Sequence, residues 1–112
     1  MDISADKAYF LFEYHCERQT RLHFGGRISG EEAACEAIIT AVDRELHLVA
    51  VGLSDDDGAT NWHRIIPMRD AEFSLYMLGD SSFEEWVARQ WHSVLVIKYA
   101  DETTLFFAEQ MV

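Results

Sequence analysis

His15 and His23 are the residues whose type and spacing most directly suggest chemistry. If each lies on one strand of a hairpin, the two imidazoles face each other, with Glu13 two residues from His15 on the same side. Two imidazoles and a carboxylate suit a divalent transition metal. His15, His23 and Glu13 are therefore the candidate metal ligands. A second constellation shares that acid. Tyr9, Trp62 and Trp86 offer ring faces and Glu13 a negative charge, a combination that attracts an organic cation. A third is electrostatic. Glu32, Glu36 and Asp43 share one side of an expected helix, and Glu84 and Glu85 open another. On one sheet face they merge into an acidic surface for a basic partner, to be met quickly and salt-sensitively.

Other motifs fail on spacing. Asp55, Asp57 and Gly58 fit positions three, five and six of a calcium loop, but Leu53 and Arg64 then stand where carboxylates are required. Gly25-Gly26-Arg27-Ile28-Ser29-Gly30 matches neither the dinucleotide nor the P-loop pattern, and Glu31 and Glu32 would repel a phosphate. There is no Gly-x-Ser-x-Gly elbow and no Cys-x-x-Cys pair. Cys16 and Cys35 fall on apolar faces, where a thiol behaves as a small hydrophobe. The expectation is a binding protein rather than an enzyme, with no cofactor.

Nine basic against twenty acidic residues give a net charge of −11, which opposes direct nucleic-acid binding and also serves solubility. No run approaches a membrane span, and Met1–Asp6 lacks the basic and apolar regions of a signal peptide, so a cytoplasmic location is expected. Two functions from different classes fit. One is a small acidic interaction protein: an inhibitor, immunity or antidefence-type factor that covers a basic protein surface. The other is a small-molecule domain with an aromatic–acid pocket for an organic cation. A homodimer is compatible with either.

The elements that must position these groups follow from periodicity. Ala8–Cys16 alternates as a strand, with Phe10, Phe12, Tyr14 and Cys16 on one face. Leu22 and Phe24 mark its hairpin partner, and Gly25–Ile28 a turn. Ser29 with Glu32 forms a capping box. Cys35, Ile38, Ile39, Val42 and Leu46 then recur as the stripe of a helix, which makes Ile38 a core residue. Leu46–Leu53 is apolar on both parities, as in a strand covered on both faces. Trp62–Met68 is a strand that Pro67 confines to an edge or bulge. Glu72–Leu78 is another. Ser82 with Glu85 caps a second helix carrying Phe83, Trp86, Val87 and Trp91. Val94–Tyr99 and Thr104–Met111 make a terminal hairpin. The order ββαβ-ββαβ-β implies one α+β domain over residues 1–112. Its antiparallel sheet would carry two helices on one face, as a ferredoxin-like sandwich with extra strands. An effector-binding-type α+β domain is the alternative.

Overall fold

A single helix lies against one eight-stranded antiparallel sheet. The computed structural model describes residues 1–28, 31–54, 61–77 and 91–110. The elements are β1 (Asp2–Ile3), α1 (Ala5–Arg18), β2 (Leu22–Ile28), β3 (Glu31–Asp43), β4 (Leu48–Ser54), β5 (Asn61–Pro67), β6 (Ala71–Met77), β7 (Trp91–Tyr99) and β8 (Thr104–Gln110). The strands lie in the order β1-β6-β7-β8-β2-β3-β4-β5. One helix among the described residues, set before seven of the eight strands, overturns the two-helix ferredoxin-like sandwich and its ββαβ-ββαβ-β order.

The expected first strand is α1. Ser4 caps it, its hydroxyl accepting from the Lys7 amide at 3.2 Å, and Asp6 sits in the first turn, where the helix dipole favours an acid. Gln19 closes the other end in the left-handed region at φ 53°, its side-chain amide donating to the Cys16 carbonyl at 2.7 Å. The buried residues are Ala8, Tyr9 and Phe12, with Leu11, His15 and Cys16 half-buried behind them. That set follows a period near 3.6. The alternation of Phe10, Phe12, Tyr14 and Cys16 is misleading, because Phe10 is 62% and Tyr14 39% exposed.

The expected first helix is β3. Cys35, Ala37 and Ile39 are buried at alternate positions, and the register to β4 then shifts between Ile39 and Ala41. Such a bulge adds one residue and reverses the parity, so Val42 packs on the same core. A strand spaced 35, 37, 39, 42 contains the three- and four-residue steps of a helix. The β-branched Ile38, Ile39, Thr40 and Val42 favour the extended form. At a strand rise of about 3.3 Å, thirteen residues would span roughly 40 Å if straight. The molecule extends 33, 33 and 31 Å along its principal axes, so a strand of that length fits only across a diagonal or by curving. The first half of β3 pairs with β2 and its second with β4, which makes it the bend of the sheet.

Gly25–Ile28, expected as a turn, continues β2. The ring of Phe106 lies over Gly25, where a Cβ would come within 2.5 Å of it, so any larger residue there would have to displace that ring. Trp91, expected on the second helix, opens β7. The remainder of that helix, Ser82 to Gln90, lies outside the described residues, as does the acidic turn 55–60. The strands after residue 46 come closer to expectation: β5 is an edge strand ending at Pro67, and β7 and β8 form the terminal hairpin. In β4, burial alternates, with Val49, Val51 and Leu53 inward, rather than covering both faces.

Curvature brings distant strands together. Only Met68, Arg69 and Asp70 separate edge strand β5 from β6, which lies near the opposite edge. A link that short closes the curl. There the Tyr99 hydroxyl donates to the Pro67 carbonyl at 2.7 Å. Burial pushes that phenol up to about 12, against the partly opposing charge of Arg64. The helix fills the hollow, with Phe12 meeting Phe107 edge-on, centroids 5.2 Å apart.

Strand alternation just before the bulge separates two adjacent isoleucines. Ile39 is fully buried beneath the helix, whereas Ile38 is half-buried on the opposite parity. Ile39→Ala is expected to cost about 2–5 kcal/mol in urea melts, and Ile38→Ala clearly less. Equal losses would contradict the described register.

Candidate functional site

Inward parity along three neighbouring strands ends in Glu109, Ser93 and Met77. On β8, Leu105 and Phe107 face the helix and Glu109 follows at the same parity. On β7, Ile97 and Leu95 are followed by Ser93, just after an irregularity between Trp91 and Ser93. On β6, Phe73 and Leu75 are followed by Met77. Above them the second half of α1 brings Leu11, Phe12, Tyr14 and His15. A cavity of about 260 Å³ remains between the two layers, lined by these residues and His92. It lies at the end of β6 and β7 opposite the Tyr99 closure. At about 30 Å³ per water, it has room for roughly nine water molecules.

The walls are mostly apolar, from Leu11, Phe12, Leu75, Leu95, Met77 and Phe107. The polar groups come from both layers, Ser93 and Glu109 from the sheet and His15 from the helix. Ser93 Oγ donates to Glu109 Oε2 at 3.3 Å, which orients the carboxylate and occupies one of its two oxygens. His15 Nδ1 is buried without a hydrogen-bond partner among the described residues. Such an atom typically costs on the order of 1–3 kcal/mol until something satisfies it. Burial lowers the His15 pKa below its ordinary value, and the charge of Glu109 partly opposes that shift. No lysine or arginine is among the described lining residues. An apolar cleft with a few convergent polar groups is the common form of a small-molecule site.

The three expected constellations are placed differently. His15 faces the core from α1. His23 lies on β2 between the inward residues Leu22 and Phe24, hence on the sheet's other face, in register with Glu36 and Ala108. Glu13 is exposed on the helix. These three are not brought together, and among the described residues no group of three metal-ligating side chains forms.

Tyr9 and Glu13 do meet a cation, and it is the chain's own Arg44. The guanidinium carbon lies 5.3 Å from the Tyr9 ring centre, Nε donates to Glu13 Oε1 at 3.2 Å, and Nη1 reaches Asp6 at 2.6 Å. This ties the turn after β3 to the helix. Trp62 is on β5, in register with Leu53, and Trp86 lies outside the described residues.

Glu32, Glu36 and Asp43, expected on one helix face, lie on the strand β3. Glu32 pairs in register with Arg27. Glu36 is exposed, with Arg21 at 3.7 Å. Asp43 accepts from the Glu45 and Leu46 amides and shapes the β3–β4 turn. Glu84 and Glu85 lie outside the described residues.

Sequence reasoning passed over Glu109 and Ser93, and expected His92 at a helix end rather than on β7. A usable signal was present for Glu109, since Leu105, Phe107 and Glu109 alternate and put a carboxylate at a core-facing position. For His15 the signal was its three-residue spacing from Phe12, once the segment is read as a helix.

No family model matches the sequence, and no curated protein or solved structure matches it. Among the described residues no helix is long and apolar enough to cross a membrane.

The burial of His15 predicts a pH effect. Its folded pKa is lowered, so as pH falls below about 6.5 the unfolded chain takes up the proton more readily and stability drops. At higher pH the group contributes no such slope. Urea unfolding at pH 7.5 and 5.5 should show a larger loss for the wild type than for His15→Gln. Identical losses would mean that His15 is not buried as described.

Proposed function

We propose that the protein is a small-molecule-binding domain, with its site in the cavity between α1 and the ends of β6, β7 and β8. The observation that carries this reading is the cavity itself: apolar walls beside Glu109, Ser93 and the unpartnered His15 nitrogen. Apolar walls reward burial of an apolar ligand body, and a few polar groups fix its orientation. The net charge of −11 favours a positively charged ligand by raising its concentration near the surface.

The acidic-interaction reading rests on composition. Its geometric premise, a run of carboxylates along one helix, is absent: Glu36 and Asp43 belong to β3 and serve an ion pair and a turn. An inhibitor or immunity-type role against a basic partner therefore has less support than a ligand pocket.

A blocking variant tests the proposal. Met77 lines the cavity and is 43% exposed, so Met77→Trp should obstruct the entrance without removing core packing. A thermal-shift screen of small apolar amines, alcohols and acids should find compounds that raise the Tm of the wild type. Those shifts should shrink or vanish in Met77→Trp. Equal shifts in both proteins would locate binding elsewhere.

A further inference from the structure

We propose that the cavity takes a protonated primary or secondary amine with a short apolar body, held by Glu109 and His15 Nδ1. This rests on the reading of the cavity as a ligand site and names the class of ligand. The argument is a matching of donors and acceptors. Ser93 Oγ already donates to Glu109 Oε2, so the second oxygen is the one left for a ligand. In the neutral tautomer protonated on Nε2, His15 Nδ1 is a lone-pair acceptor, and it is buried without a hydrogen-bond partner among the described residues. One acceptor from the helix and one from the sheet call for two N–H bonds on one cationic centre. A primary or secondary ammonium carries them; a quaternary ammonium carries none. The carboxylate supplies the charge-assisted bond, which is the stronger of the two.

The aromatic side chains point the same way. A quaternary ammonium is recognised by open ring faces arranged as a cage. Phe12 and Phe107 are instead packed edge-to-face on each other, at 5.2 Å and 87°, and Phe107 also abuts Phe24 at 5.0 Å. The Tyr14 face is covered by the chain's own Arg18, 4.5 Å from the ring centre. These rings therefore serve as apolar wall for the ligand's body. The titratable groups among the described lining residues are Tyr14 and His15 of α1, His92 of β7 and Glu109 of β8. Glu109 is the carboxylate among them, so the ammonium is directed to it.

Four probes of nearly equal size separate the possibilities: phenethylamine, its N,N,N-trimethyl analogue, phenethyl alcohol and 3-phenylpropionate. Each is titrated into isotope-labelled protein and followed by amide and methyl NMR shifts. Wild-type and Glu109→Gln spectra also establish that the variant is folded. Phenethylamine should shift Leu75, Leu95 and Phe107 and bind at least tenfold more tightly than the other three. Glu109→Gln should lose about tenfold or more for phenethylamine, with little change for the alcohol. His15→Phe should weaken phenethylamine by a smaller factor. Trimethyl analogue or alcohol binding as tightly as phenethylamine would overturn the amine assignment and leave the pocket reading standing. So would an unchanged phenethylamine affinity in Glu109→Gln. Failure of all four probes to shift any cavity residue would overturn the pocket reading itself.

Discussion

The edge-on contact of Phe12 with Phe107 anchors the one helix to the sheet. A curved eight-stranded sheet has a long apolar inner face, and among the described residues only α1 lies over it. Everything inward therefore depends on where that helix sits. Its first half is fastened by Tyr9 and by Arg44, which reaches from the turn after β3 to Asp6 and Glu13. These ion pairs are exposed and individually weak, so packing of Ala8, Tyr9 and Phe12 carries the attachment and the arginine fixes its direction. Leu11, Phe12, Tyr14 and His15 of the helix line the cavity beside the Phe12–Phe107 contact.

Local pattern and tertiary structure disagree at two places in the chain, and the reasons are specific. In 8–16, aromatic residues stand at alternate positions, and alternation is the mark of a strand. Exposure of Phe10 and Tyr14 removes two members of that pattern and leaves a helical stripe. The cap at Ser4 was the local signal for it. In 31–43, the bulge after Ile39 shifts the parity, so that a strand takes on the three- and four-residue steps of a helix. One extra residue in a curved strand is enough to produce that likeness. Because a one-residue slip turns every side chain to the other face, the same error misassigned Ile38 to the core. After residue 46 the strands were more legible, apart from Trp91, expected on a helix, and the two-faced burial expected of Leu46–Leu53. Pro67 marked an edge strand, and β7 and β8 pair as the expected terminal hairpin.

The site was legible only in fragments. His15 was a candidate residue, but its expected partner His23 lies on the far side of the sheet, and Glu109 was passed over. That pairing depends on the sheet order, which places β8 beside β2 and β7, although Glu109 and His15 are ninety-four residues apart (109 − 15). No local pattern carries such a proximity. The aromatic–acid attraction expected at Tyr9 and Glu13 is present as chemistry and is filled by Arg44. The cavity offers a carboxylate and an imidazole nitrogen that no side chain among the described residues fills in this way.

The account therefore turns on whether a ligand enters between α1 and β6–β8. Intermolecular nuclear Overhauser effects in the phenethylamine-saturated protein test this most directly. Contacts from the phenyl protons to the Leu75 and Leu95 methyls and the Phe107 ring, with the ammonium end nearest Glu109, are the expected result. Contacts instead to Val94, Val96 and Ala108, which are buried on the opposite face of the sheet, would contradict it.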